Sequence, residues 1–470
     1  MEKSNLISIL RTFDKKEVRE FRKWLNSPAH NLRQDVIDLY EYLMAGQHLF
    51  SDKYLTKERA FKQVFPKRTY NDSEMRQCIH FLFKAIESFL AYNELFKDEV
   101  HSQTILANVY RQRQLPKLFK KAMDTSQKIQ ESQPYRNHKY YENEYALQFE
   151  QYSYLSGLGR DVPLNLQEVS DANDIAFLTN KLKLSCIMLS HQAVYKTEYQ
   201  MRLLDDVIKS IEHSSEYFNL PAISIYYYSY KAISDKKEEK HFAQLKKQIE
   251  KYSDLFPADE IRVIYLLAIN YCIGQINSGK SEYYNESFEL YDLGVMKNIF
   301  LENGIITRFT YSNAIIAALN LGKFSWVDNF ITSYSQFLED KHRDNLVRFY
   351  RARLHFERKE YDKAMPMFAQ YDTDDILMSL LAKTMLLKMY YELAEFGALD
   401  SLIDSMRAYI QRKKVMGYHK AVFKNLLTYT KKLLKVFPND KEQIEKLKSE
   451  IESADPLMER KWLLEQLEKM

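Results

Sequence analysis

The chain has 470 residues with 46% hydrophobic content, including 27 Phe and 35 Tyr, which is ample for burial and excludes wholesale disorder. Its 10 Gly and 10 Pro fall well below the usual shares of about 7% and 5%, so tight turns are few and the helices between them are long. With 68 Lys and Arg against 64 Asp and Glu, the net charge of +4 is too small to imply a polyanionic partner for the whole molecule, so any electrostatic function is local.

The N-terminal stretch MEKSNLISILRTFDKKEV has no apolar core or cleavage site of a signal peptide, and no apolar run reaches membrane-spanning length, which points to a cytoplasmic protein. Cys78, Cys186 and Cys272 lack metal-ligand or redox spacing and read as small hydrophobes in a reducing compartment. Residues 1–95 read as a separate module of four or five short helices. Asp14 and Glu17 have capping-box spacing, with Val18, Phe21, Trp24 and Leu25 repeating on one face after them. Ser27-Pro28 stops that helix, Val36, Leu39, Tyr40 and Leu43 mark the next, and Asn71 with Glu74 opens another. Residues 96–195 read as a helical connecting region in which degenerate repeats are only faintly visible.

From about 196 to 415 the chain repeats itself. In NLGKFSWVDNF, ERKEYDKAMPMF and ELAEFGALDSLI a polar turn is followed by an aromatic (Phe324, Tyr361, Phe396) and, three residues on, by an apolar anchor (Val327, Ala364, Leu399). Apolar residues recur at +3, +4 and +7 from each anchor. Traced backwards, the anchors are Leu204, Leu245, Ser287, Val327, Ala364 and Leu399, at intervals of 41, 42, 40, 37 and 35 residues, which suit helical hairpins. Gly322 before the turn, the aromatic three before the anchor, Ala364 as the small residue and Phe368 four beyond it together resemble the tetratricopeptide family. The intervals exceed that family's period of about 34, its first-helix Trp is missing and no closing Pro recurs. The resemblance implies an all-α chain: the N-terminal helical module, then an α-solenoid of stacked hairpins over 196–415, closed by capping helices over 416–470. It further implies a groove that takes extended peptides or helices of a protein partner.

Two local patterns compete with that reading. Residues 274–281, GQINSGKS, fit the P-loop pattern with Gly279, Lys280 and Ser281 in place, which would make the chain an NTPase. A P-loop needs a strand before it, whereas Ile261, Ile264, Tyr265, Ala268 and Cys272 have helical spacing, so the match reads as coincidence. The other pattern is charge. Between Ser405 and Asn439 stand nine cations and no acid: Arg407, Arg412, Lys413, Lys414, Lys420, Lys424, Lys431, Lys432 and Lys435. On a helix, Lys420, Lys424, Lys431 and Lys435 share a face largely opposite Phe423, Leu426, Leu427, Thr430, Leu434 and Phe437, giving a cationic ridge for an acidic peptide or nucleic acid, or simply a solvated face. A second basic stretch, Arg111 to Lys139, reads as solvated surface, and the clusters Tyr226-Tyr227-Tyr228 and Tyr283-Tyr284 as packing rather than base-stacking platforms. The usual catalytic signatures are absent, so the expectation is a non-enzymatic interaction scaffold without cofactor or metal, with a nucleic-acid-associated or regulatory protein as the alternative.

Overall fold

The computed structural model describes residues 1–195, 197–412 and 417–470. Those residues form twenty-three α-helices, α1 to α23, with a few 3-10 turns. Among the described residues the only β feature is an isolated bridge between Glu302 and Ile305, so the chain is all-α. Contacts divide it into two units, Met1–Tyr226 and Tyr227–Met470.

The first unit begins with α1 (Asn5–Leu10), α2 (Lys15–Leu25), α3 (Gln34–Met44), α4 (Lys57–Val64) and α5 (Asp72–Lys97). They share one core in which Phe21, Leu25, Leu39, Tyr40, Leu82 and Ile86 are fully buried. The caps are those the sequence indicates. Asp14 accepts from the Glu17 amide at 2.8 Å while Glu17 accepts from the Asp14 amide at 2.9 Å, and Asn71 accepts from the Ser73 and Glu74 amides. The expectation of uniformly short helices fails at α5, which runs 26 residues because neither Gly nor Pro interrupts it. The unit continues through α6 (Glu99–Gln112), α7 (Pro116–Ser132), α8 (His138–Leu155), α9 (Leu166–Val194) and α10 (Leu204–His213) into α11 (Pro221–Ser234), where the two units divide.

The second unit holds α12 (Glu239–Tyr252), α13 (Ala258–Asn277), α14 (Tyr283–Met296), α15 (Arg308–Asn320), α16 (Phe324–Tyr334), α17 (Asp340–Glu357), α18 (Tyr361–Ala369), α19 (Ile376–Glu392), α20 (Phe396–Arg412), α21 (Gly417–Leu433), α22 (Lys441–Ser453) and α23 (Arg460–Glu468). From α12 to α20 each helix packs on the next, and α15 also touches α17, as α17 touches α19. The six anchors fall on α10, α12, α14, α16, α18 and α20, each at 2% exposure or less, within the first two turns of its helix. Ser287, the polar one, satisfies its hydroxyl by donating to the Tyr284 carbonyl at 3.0 Å.

A single turn geometry joins the best-defined hairpins. At Gly322, Lys359 and Ala394 the chain is left-handed, with φ of 67°, 61° and 57°. The next amide reaches back to the carbonyl five residues earlier: Lys323 to Ala318, Glu360 to His355 and Glu395 to Tyr390, at 2.8 to 2.9 Å. This closure satisfies carbonyls that the first helix would otherwise leave orphaned and reverses the chain into the second. The same turn occurs between α6 and α7, where Gln114 has φ 57° and Leu115 N–H donates to the Tyr110 carbonyl at 2.9 Å. Phe119, 2% exposed, then stands where an anchor would. A hairpin of this geometry therefore lies inside 96–195, where the sequence shows the pattern only faintly.

At the C-terminus α19 to α23 share one core, which includes Leu380, Leu399, Ile403, Phe423, Leu426 and Trp462. Glu392 at the end of α19 ties this region together. It accepts from Tyr361 at 2.5 Å, Lys359 at 3.0 Å and the Trp462 indole at 2.9 Å. Burial pushes its carboxyl up, but those three donors and the Lys359 charge outweigh burial and hold it below the ordinary value.

Candidate interaction surfaces

The structure divides seven of the nine cations of the basic segment between two helices and the residues just beyond them. Arg407 and Arg412 lie on α20, Lys420, Lys424, Lys431 and Lys432 on α21, and Lys435 just beyond its end, while Lys413 and Lys414 lie outside the described residues. The apolar stripe is buried along α21, with Phe423 at 3% and Leu426, Leu427 and Thr430 at 0% exposure, but not beyond it: Leu434 is half-buried and Phe437 is 71% exposed, because the helix ends at Leu433. Three of the cations are partnered. Lys431 Nζ is 3.0 Å from Asp404, Arg407 is 4.0 Å from the same carboxylate, and Lys432 pairs with Glu450 of α22. Arg412, Lys420, Lys424 and Lys435 make no ion pair among the described residues.

Lys383 of α19 joins this region from outside the sequence window. Its Nζ lies 4.3 Å over the ring of Tyr409 on α20. Burial first, and then the nearby Arg412 guanidinium, hold its ammonium below the ordinary lysine range. Like charges crowded this way are relieved by an anion. In the stretch from Arg111 to Lys139, Arg111 grips Glu150 at 2.7 Å, Arg136 donates to the Gln133 and Tyr135 carbonyls and Lys139 lies 3.5 Å from Asp98, while Arg113, Lys117, Lys120 and Lys121 are exposed.

The P-loop-like residues have no cradle to offer. Gly274 to Asn277 are the last turn of α13. Its closing amides are spent on it: Ser278 N–H donates to the Gly274 carbonyl, Gly279 to Ile276 and Lys280 to Gln275. A phosphate cradle needs those amides unpaired and convergent. Lys280 itself pairs with Glu239 at 2.5 Å. Among the described residues no group of three or more His, Cys, Asp or Glu is placed to hold a metal ion. The three thiols are buried, which pushes Cys78 up to about 12 and Cys186 and Cys272 higher still, so none is a ready nucleophile. Tyr226, Tyr227 and Tyr283 are buried, which removes them as stacking platforms. No helix among the described residues is long and apolar enough to cross a membrane.

The surface that sequence reading missed is a duplicated row. On α13 it comprises Leu266, Asn270, Ile273 and Asn277; on α15, at the same spacing, Phe309, Asn313, Ile316 and Asn320. Each row ends two residues before its hairpin's left-handed glycine, Gly279 or Gly322. Asn270, Asn277, Asn320 and Phe309 are exposed, Phe309 at 67%, and the remaining four half-buried. The signal was available as the repeated pattern apolar-x3-Asn-x2-Ile-x3-Asn, but it lies on the first helices, away from the anchors that reveal the period. No protein-family model, curated protein or solved structure matches the chain.

Proposed function

We propose that the chain is a non-enzymatic interaction scaffold of the helical-repeat type, its hairpins stacking as an α-solenoid and its first helices holding an extended segment of a partner protein. The observation that supports this most directly is the duplicated row on α13 and α15. About half of each helix is fully buried, as Leu267, Ala268 and Ile269 are on α13 and Ala314, Ala317 and Ala318 on α15, so the open strip is narrow. Within it, asparagine alternates with apolar residues. An amide both donates and accepts, matching the main chain of an extended peptide, while the apolar residues between take up its side chains. Recovering partners from the native host on tagged protein tests this. Asn270→Ala with Phe309→Ala should remove a partner that survives Asn285→Ala with Asn329→Ala on second helices. Equal recovery on both variants contradicts the proposal.

A second reading has support of its own. The unpaired cations Arg412, Lys420, Lys424 and Lys435, with the crowded Lys383, suit an acidic partner, either an acidic peptide or nucleic acid. Lysines outnumber arginines there, so binding would be by charge rather than by sequence.

A further inference from the structure

The first unit carries a cleft of the opposite charge. Between α9, α10 and the 3-10 turn Ser215–Asn219, a cleft of about 290 Å³ is lined by Phe177, Leu178, Leu203, Val207 and Tyr217. Its apolar lining is not closed off. Phe177 is 46% exposed and Leu203 64% exposed, and the uncovered face continues along α9 through Leu184 at 52% and Ile187 at 45%. From Phe177 to Ile187 a helix rises about 15 Å, nearly three turns. Between Phe177 and Leu184 that face carries Asn180, which donates to Glu142 at 2.9 Å, and the half-buried Lys181, so the apolar positions form two patches, Phe177 at the cleft and Leu184 with Ile187 beyond it.

Carboxylates rim the cleft end of this face. Asp174 and Asp206 line the cleft, while Asp171 and Glu216 stand close enough to act on the Tyr217 hydroxyl. None of the four makes an ion pair among the described residues, whereas in the other unit Glu286 and Glu289 pair with Lys246, Asp254 with Lys297 and Glu392 with Lys359. Burial, followed by Asp174, Asp171 and Glu216, pushes the Tyr217 hydroxyl above its ordinary value, the direction expected beside uncompensated negative charge. An apolar cleft with an acidic rim is complementary to a surface that is apolar with basic residues beside it.

We propose that this cleft and the adjoining face of α9 dock a basic amphipathic helix of a partner protein, its apolar side chains on Phe177, Leu184, Ile187 and Leu203 and its lysines or arginines against Asp171, Asp174, Asp206 and Glu216. The acidic rim repels an anionic membrane surface. Two lysine-rich helices of a second copy, α7 and α21, have their apolar sides inside their own cores. The inference concerns a different surface from the one proposed above, and either stands if the other fails.

The probe is a fluorescein-labelled 18-residue Leu/Lys amphipathic peptide, with a Leu/Glu peptide of the same pattern, titrated by fluorescence anisotropy with the full chain. The Leu/Lys peptide should bind at least tenfold more tightly, and Asp174→Lys with Asp206→Lys should remove at least tenfold of that. The same reversal at the exposed acids Asp259 and Glu442 of the second unit should change it less than twofold. Phe177→Ser, a change at an exposed position that spares the fold, should also weaken binding severalfold, which keeps the test sound if the charge-reversed chain misfolds on circular dichroism. Equal affinity for the two peptides, or equal losses from the cleft and control reversals, overturns the proposal. Sedimentation showing a wild-type dimer that Asp174→Lys with Asp206→Lys dissociates would assign the cleft to a second copy and overturn it as well.

Discussion

Leu399→Ala tests how the hairpins are held together. Leu399 sits in the first turn of α20, is fully buried, and belongs to the core that joins α19 to α23. The substitution removes three carbon groups, about 0.8 kcal/mol each in transfer free energy, or about 2.4 kcal/mol. Its neighbours Leu380, Ile403 and Met406 are themselves fully buried and cannot collapse freely into the space, so a cavity contribution raises the total to about 2.5–4.5 kcal/mol. Phe437, larger but 71% exposed, supplies the control: Phe437→Ala should cost under about 1 kcal/mol. Urea unfolding followed by circular dichroism measures both. Because a chain of two units need not unfold in one step, hydrogen exchange should locate the loss, with faster exchange across α19 to α23 and little change in α1 to α5. A loss below about 1 kcal/mol for Leu399→Ala, or equal losses for the two variants, refutes the reasoning.

Glu392 gives a pH dependence whose sign is fixed. Its carboxyl is held below the ordinary 4.5, so its contribution is present above that value and disappears as pH falls through the folded-state value; the gap in thermal midpoint between wild type and Glu392→Gln should close as pH drops below 4.5. The left-handed turns predict a reciprocal pair: Ala394→Gly should stabilise by about 0.5–1 kcal/mol and Gly322→Ala destabilise by about as much, since a left-handed non-glycine residue costs about 1–2 kcal/mol and glycine loses about half of that in chain entropy. Nothing lies within 4 Å of a Cβ added at Gly322, so the measured change in urea midpoint reports backbone alone. For the basic segment, a single-stranded oligonucleotide or an acidic peptide should bind at low salt, for single strands with a slope of log K against log salt of about −2.8 for four contacts, and Lys420→Glu with Lys424→Glu should abolish it. Binding unchanged in that variant would return the segment to solvated surface.

The features legible in the sequence were those set by local chemistry. Scarce Gly and Pro gave long helices, Asp14 with Glu17 and Asn71 with Glu74 marked helix starts, and the anchor spacing located alternate helices. What escaped was set by tertiary neighbours or by unusual residues. The α6–α7 turn is hidden because Gln114 takes the left-handed position and Pro116 the place of the aromatic. The basic segment looked uncompensated because Asp404 lies one residue outside the cationic window and Glu450 on another helix, yet both are within reach in space. Lys383, far upstream, enters the same region only through the packing of α19 against α20. At Lys280 a sequence pattern matched while the backbone amides it needs were already bonded within a helix end.

The most direct test of the central proposal is site-specific photocross-linking in the native host. A photoreactive residue is placed in turn at Asn270 and Phe309, on the first helices, and at Asn285 and Asn329, exposed positions on the second helices of the same hairpins. The scaffold account predicts that Asn270 and Phe309 give an adduct with one and the same partner protein, identified by mass spectrometry, and that Asn285 and Asn329 give none with it. Adducts of equal yield at all four positions, or none at Asn270 and Phe309, would contradict it.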